Sequence, residues 1–374
     1  MLYNIQFLRF VAAMLVVLYH SAARLPANDS IFRSLFSVGE AVGFAGVDIF
    51  FVISGFIMAY TTSDHSGGGS FSLDFAKRRL ARIFSGYWPF FILAVVIFSY
   101  FRAEHFATSN LFKSFFLLPQ SLNLVLLEVT WTLTYELYFY LLFSLLILLF
   151  KPQNRYRITL LAFICLLSLN LYQHFIAQSF SAEHIYLQPF WIQFLSSPFL
   201  LEFFAGVLAA WWLGKNPVGL ALTWVLTGSL LFLIGGLINE ALYSGLIAQG
   251  FHVLPRVFIY GVPAVMILVG LVRMEKSGVG AGRRAAKAQG GEVSAAARFS
   301  SITGGASYAI YLSHILILTL AWNLGFNQLV AGWSGSMIIA AYVLLMLCIL
   351  GFSVLHYSFI EKPLHKLFKR LLGL

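Results

Sequence analysis

The sequence predicts an all-α, polytopic integral membrane protein of about ten transmembrane helices, with both termini in the cytoplasm. Hydrophobic residues make up 60% of the 374 residues and charged residues only 10%, whereas a soluble domain carries about 25% charged residues. The apolar residues form long uninterrupted stretches, which favours helices over the short alternating strands of a membrane barrel. The net charge of +10 lies mainly between these stretches, so it indicates membrane topology rather than nucleic-acid binding.

The hydrophobic stretches define ten spans in one domain, 1–374. Their approximate limits are 4–23, 41–62, 84–101, 130–150, 158–178, 197–214, 218–238, 256–272, 302–322 and 336–358. The first span lacks a basic leader and a cleavage site, so we expect it to be retained. The apolar segment 111–127 is interrupted by Lys113 and Pro119 and is expected to be interfacial or re-entrant.

The basic residues set the orientation of these spans. Eighteen of the 24 Lys and Arg residues fall in segments that this topology places inside and five in segments that it places outside, as the positive-inside rule requires. The Gly-, Ala- and Arg-rich segment 275–298 predicts a flexible cytoplasmic linker. Segment 361–374 predicts an amphipathic helix on the inner leaflet, because its leucine and basic residues occupy opposite helical faces.

The first span, NIQFLRFVAAMLVVLYHSA, contains Arg9 and His20. Eleven residues turn a helix about 20° past three full turns, so both side chains share one face about 16 Å apart. Ionisable residues inside a membrane are costly and usually functional. The alternative is an arginine that reaches the interface and a histidine that packs between helices.

Two intramembrane carboxylates follow, Asp48 and Glu136. Either could orient and polarise a basic histidine, although Asp48 could instead pair with a basic residue on another helix. Ser54 lies beside Gly55, where small residues permit close helix contact.

Aromatic residues surround Glu136. Trp131, Tyr135 and Tyr138 could stack on a sugar ring, but we expect them to belong to the aromatic belt at the membrane interface.

Two further patterns combine polar residues on one helical face. Arg79 and Arg82 are three residues apart and could bind a phosphate. Ser307, Tyr311 and His314 share a stripe in the ninth span, where they would bind substrate or make hydrogen bonds between helices. No Cys or His spacing predicts a metal site.

Taken in order, these motifs resemble the membrane acyltransferase family 3, in particular bacterial O-acetyltransferases that modify exopolysaccharides and other surface glycans. The resemblance covers residues 4 to 366 through IQFLRFVAAMLVVLYH, GVDIFFVISGFIMAY, RRLARIFSGYWP, WTLTYELYFY, SYAIYLSHILI and IEKPLHK. Many family members add an extracytoplasmic hydrolase-like domain after the last span. We expect any step of such a domain to be absent or supplied by another protein.

The resemblance implies ten spans in a bacterial inner membrane, acetyl-CoA as the donor and no metal. The family's arginine–histidine signature falls on Arg9 and His20, its acyl-donor element on Arg79 and Arg82, and its acidic residue on Glu136. The expected acceptor is a sugar hydroxyl of a lipid-linked or exported glycan, with glycan-synthesis proteins as partners. A transporter or flippase for glycan precursors or small anions would use the same charges as a substrate path.

Overall fold

The computed structural model describes residues 2–22, 39–177, 194–216, 219–277 and 294–374. Every secondary-structure element in these ranges is helical, as the sequence predicts. The helices are α1 Tyr3–Ala22, α2 Gly39–Thr62, α3 Gly69–Phe101, α4 Ala103–Thr108, α5 Leu111–Phe115, α6 Glu128–Leu149, α7 Pro152–Phe175, α8 Phe199–Lys215, α9 Ala221–Tyr243, α10 Val253–Lys276, α11 Ala295–Asn323, α12 Phe326–Val330 and α13 Gly335–Leu371.

Nine helices in the described ranges are long and apolar enough to cross a membrane, and each coincides with a predicted span. The remaining predicted span, 197–214, coincides with α8. This helix has 17 residues and is about 26 Å long, slightly less than the roughly 30 Å hydrocarbon core. The count of ten and the orientation of the termini stay predictions.

Helix α3 differs most from its predicted limits, because it begins at Gly69 and not near residue 84. Its 33 residues extend about 50 Å, well beyond the hydrocarbon core. The additional turns carry the basic residues between 77 and 82. Hydropathy marks the apolar part of a helix and does not detect such a polar extension.

The helices sort into a central and a peripheral set. Most of the apolar part of α2, α10 and α11 is buried, whereas only a small part of α7, α9 and α13 is buried. The exposed residues of α9 include leucines three or four apart, Leu226, Leu230, Leu233 and Leu237. Such an apolar outer face is expected where lipid, and not water, surrounds the protein.

The segment predicted to be interfacial or re-entrant packs against the middle of α3. Tyr87 donates a hydrogen bond to the carbonyl of Ser114 over 2.7 Å, and the Trp88 indole donates to the carbonyl of Phe115 over 3.2 Å. Both bonds tie this segment to α3. Whether the segment is interfacial or re-entrant stays a prediction.

The structure describes the predicted cytoplasmic tail, 361–374, completely and the predicted linker, 275–298, only at its two ends. Residues 278–293 of the expected linker lie outside the described residues, while α10 ends at Lys276 and α11 begins at Ala295. The tail forms the helix Lys362–Leu371, which continues from the last span through a π-helical turn.

Helices α2 and α8 pack with their backbones in direct contact at two glycines. A Cβ atom at Gly55 would collide with the carbonyl of Phe203, and one at Gly206 with the carbonyl of Val52. Because neither obstacle is a flexible side chain, the helices could accept a larger residue only by moving apart. This contact fixes the position of α2, which carries Asp48 and Ser54.

We therefore expect Gly206→Ala to destabilise the protein by about 1–3 kcal/mol, the usual cost of overpacking. Thermal unfolding in detergent, followed by tryptophan fluorescence, measures the effect. Gly214→Ala is the matched control on the same helix, since a Cβ there meets no atom within 4 Å. Equal melting temperatures for the two variants would contradict the packing argument.

Candidate active site

Two adjoining cavities lie inside the helix bundle. The arginine cavity has a volume of about 110 Å³, and its lining includes Arg9, Arg79, Arg82 and Glu136. The histidine cavity has a volume of about 240 Å³, and its lining includes His20, Glu128, Trp131 and Arg256. Val47 and Tyr311 line both. The two cavities are therefore separated by a wall to which these two side chains belong.

Helix α1 connects the two cavities. It is continuous from Tyr3 to Ala22, with Arg9 in the arginine cavity and His20 in the histidine cavity. The common face predicted from their spacing thus faces the site. Close packing of α1 on α11 brings His314 next to His20, because Gly304 of α11 lies directly against the carbonyl of Gln6.

The arginine cavity combines cations with one carboxylate. Glu136 accepts hydrogen bonds from Ser54, over 3.3 Å, and from Tyr140. Arg79 lies over the Tyr140 ring at 5.5 Å, and no carboxylate of the described residues lies within ion-pair distance of it. Its guanidinium is therefore available to an anionic ligand.

Arg82 is held differently from Arg79. Its guanidinium forms an ion pair with Glu361 over 3.1 Å and lies over the Tyr308 ring at 5.9 Å. Glu361 is 1% exposed, so the ion pair anchors the end of α13 against α3. An anion bound by Arg82 would have to share it with this carboxylate.

His20 is oriented by a second histidine. His314 Nδ1 lies 3.3 Å from the Ile310 carbonyl, which assigns a proton to Nδ1 and leaves Nε2 as an acceptor. His20 Nδ1 lies 3.0 Å from the Val16 carbonyl and 3.2 Å from His314 Nε2, so it is a donor. Nε2 of His20 then carries the free lone pair of a neutral base. His314, for which we expected a supporting role, is thus the hydrogen-bond acceptor for His20 Nδ1.

The expectation that Asp48 or Glu136 orients His20 is wrong in this structure. Asp48 is fully buried and accepts three hydrogen bonds from Arg256, the shortest 2.7 Å. Glu136 bonds to Ser54 and Tyr140 in the other cavity. The alternative reading of Asp48, a structural partner for a basic residue on a neighbouring helix, describes its position.

Tyr311 closes the wall between the cavities. Its hydroxyl donates to the Val129 carbonyl over 2.9 Å and accepts from Thr132 over 2.9 Å. Both partners belong to the first turns of α6, so Tyr311 ties α11 to α6. Ser307 bonds to the Gly304 carbonyl of its own helix and lines neither cavity.

Two of the three aromatic residues near Glu136 lie in the interior and not in the expected interfacial belt, whereas Tyr138 is only partly buried. Trp131 and Tyr135 are buried and pack with Phe51 and Phe199 in an interior cluster. Trp131 and Tyr135 point into the interior because they lie on the face of α6 that also carries the buried residues Phe139 and Phe143. Trp131 also lines the histidine cavity, where its ring can contact a ligand.

Three functional candidates escaped the sequence analysis. Arg256, the first residue of the predicted span 256–272, is 2% exposed and lines the histidine cavity. Glu202 lies in the apolar stretch FLLEFFAG, so the criterion that selected Asp48 would also have selected it. In the structure it interacts electrostatically with Asp48 and Arg256. Glu361 belongs to the quoted motif IEKPLHK, but its ion pair with Arg82 depends on helix packing.

Fold and site together describe a helical membrane protein with an arginine-lined cavity next to a cavity that contains a histidine. The chain belongs to acyltransferase family 3, whose model, described as an acyltransferase domain, matches residues 2–358. The resemblance seen in the sequence motifs is thereby confirmed, and the protein is a membrane acyltransferase. This class favours catalysis over the transporter alternative.

One curated relative is similar over most of its length. The exopolysaccharide production protein ExoZ of Rhizobium meliloti (strain 1021) is 28% identical over 324 residues, which cover 81% of this chain and 88% of that protein. No solved structure matches the chain.

Proposed function

We propose that the protein transfers an acetyl group from cytoplasmic acetyl-CoA to a sugar hydroxyl of a lipid-linked or exported glycan at the bacterial inner membrane. The observation that carries the proposal is the contact between the two cavities at Val47 and Tyr311. A donor held by the arginines then needs to cross one wall to reach His20.

The arginine cavity suits the anionic donor. Arg79 and Arg82 are located in the half of α3 that begins on the predicted cytoplasmic side, and arginine binds phosphate oxygens in pairs. Acetyl-CoA is far larger than a cavity of about 110 Å³, so its nucleotide stays at the mouth while the narrow pantetheine arm enters. Arg9 lines the cavity from α1 and adds a third cation for the donor.

The histidine cavity suits the acceptor. His20 Nε2 takes the proton of the sugar hydroxyl, the oxygen attacks the thioester carbonyl carbon, and the carbon–sulfur bond breaks. The departing thiolate recovers the proton from the imidazolium. In a second version His20 Nε2 attacks the thioester carbonyl and the carbon–sulfur bond breaks to release the thiolate of CoA. The sugar oxygen then takes the acetyl group from the imidazole, and the hydroxyl proton passes to the thiolate. Trp131 offers a ring face to the sugar. The name of the relative ExoZ, an exopolysaccharide production protein, supports a glycan acceptor.

Donor binding provides the first test. We expect Arg79→Gln to raise the dissociation constant for acetyl-CoA at least about tenfold, because a hydrogen bond to a charged group contributes about 1.5–3 kcal/mol. Equilibrium binding of labelled acetyl-CoA to the purified protein measures it. Arg78→Gln removes the neighbouring exposed charge and should leave binding unchanged. Equal weakening in both variants would mean that Arg79 contributes only general surface charge.

Acceptor identity needs a separate experiment in the host cell. Deletion of the gene should remove one acetyl ester from a surface or secreted glycan, which NMR of the isolated glycan detects and assigns to a hydroxyl. Restoring the gene should restore the ester. A glycan with an unaltered ester content, together with acetyl-CoA binding by the protein, would redirect the search to another acceptor or acyl group.

A further inference from the structure

A third pocket, which contains several cations, lies on the predicted cytoplasmic side, apart from the proposed site. This α8 pocket has a volume of about 350 Å³ and is located where α2 and α8 end and α7 begins. Its lining includes the cations Arg155, Lys215 and Lys276. It shares no lining residue with the arginine cavity within the described part of the chain.

Arg155 indicates that the pocket is built for an anion. The residue is 7% exposed, and its Nε and Nη1 donate to the carbonyls of Phe150 and Thr62. Its Nη2 is buried and has no hydrogen-bond partner among the described residues. A buried guanidinium nitrogen without an acceptor is costly. Arg155 thus brings a buried, incompletely hydrogen-bonded guanidinium to the lining of the pocket, where a bound anion would balance its charge.

The rim of the pocket is aromatic and basic. Tyr156 and Trp211 stack at 4.2 Å, and Lys215 lies 4.5 Å above the Trp211 ring. Tyrosine and tryptophan are enriched at the level of lipid headgroups. Basic pockets between helices on the cytoplasmic side are typical binding sites for anionic headgroups.

An apolar groove continues from the α8 pocket along α8, from Val207 to Phe203. The groove has a volume of about 200 Å³ between α6, α7 and α8, and it shares Phe143, Leu146 and Val207 with the pocket. Its remaining lining is almost entirely apolar, and Leu145 and Leu149 at its edge are exposed on the outer surface. The groove thus has the chemistry to take a hydrocarbon chain.

We propose that the α8 pocket and its groove bind one anionic glycerophospholipid, with the phosphate at Arg155 and Lys215 and an acyl chain along α8. Inorganic phosphate or CoA would account for the cations but not for the groove. An uncharged lipid would account for the groove but not for the cations. The proposal is independent of the acetyl-transfer function, because it uses a different set of residues.

Native mass spectrometry of the delipidated full chain tests the proposal with phosphatidylglycerol and with phosphatidylcholine of the same acyl chains. We expect phosphatidylglycerol to bind at least about fivefold more tightly. Lys215→Gln removes an exposed cation and should abolish most of this preference, since a basic residue near the headgroups contributes about fivefold. Lys151 is an exposed cation outside the pocket, so Lys151→Gln should leave the preference for phosphatidylglycerol unchanged.

The groove is tested without any change of charge. Ala162→Phe fills the groove and should weaken both lipids, whereas Leu161→Phe on the neighbouring exposed position should weaken neither. Equal binding of the two lipids by the unmodified protein, or equal losses in variant and control, would overturn the proposal. Displacement of phosphatidylglycerol by equimolar inorganic phosphate or CoA would also overturn it and assign the pocket to a soluble anion.

Discussion

Replacing His20 by alanine should lower the rate of acetyl transfer by about 100- to 10,000-fold, the range over which general bases contribute. We expect this role for His20 because its Nδ1 lies against Val16 and His314, which leaves Nε2 as the basic atom, and because His20 lines the histidine cavity. Acetyl-CoA binding should stay unchanged, since Arg9, Arg79 and Arg82 line the other cavity.

Transfer of labelled acetyl from acetyl-CoA to the glycan fraction of membranes measures this rate. His65→Ala is the control, because His65 is exposed and stacks only on Phe71 among the described aromatic contacts. A His20→Ala variant that transfers acetyl at the unmodified rate would exclude both the general-base and the carrier mechanism. A rate loss shared by His65→Ala would indicate a defect in expression or insertion.

The same labelled donor separates the two mechanisms that remain. If His20 is a transient carrier, protein incubated with acetyl-CoA and without acceptor should retain label in the peptide that contains His20. If His20 is a general base, no label should remain on that peptide, although transfer proceeds when acceptor is added. The two outcomes differ because only the carrier forms a bond to the acetyl group.

Sequence analysis predicted the relations that lie within a single helix. Arg9 and His20, or Arg79 and Arg82, keep their relative direction whatever surrounds them, because the helix repeat fixes it. The spacing of Tyr311 and His314 likewise placed both on the face of α11 that reaches the site. The family motifs then assigned roles to several of these residues.

Residue spacing along the chain could not predict which residues of different helices come into contact. Asp48 and Arg256 are 208 residues apart, and their pairing depends on how α2 and α10 pack. Charge alone allowed Asp48 to serve either His20 or a cation on another helix. The glycine contact at Gly55 and Gly206, which positions α2, likewise becomes visible only when both helices are in place.

Replacing Arg256 by methionine should produce the largest loss of stability, about 3–5 kcal/mol, the typical cost of removing one partner of a buried ion pair. Asp48 is fully buried, and Glu202 is 1% exposed. Without Arg256 these neighbouring carboxylates would remain in the interior with no cation hydrogen-bonded to either. Thermal unfolding in detergent, compared with the unmodified protein, measures the change.

Arg102→Met is the matched control, since Arg102 pairs with Glu128 over 3.1 Å with 28% and 41% of the two side chains exposed. Exposed pairs contribute about 0–1 kcal/mol, so this variant should melt near the unmodified protein. The double variant Asp48→Leu with Arg256→Met should recover much of the loss, because apolar residues often replace a buried pair without cost. If the double variant is stable but transfers no acetyl, Arg256 also acts in the histidine cavity; if it is stable and active, the pair serves only to join α2 to α10.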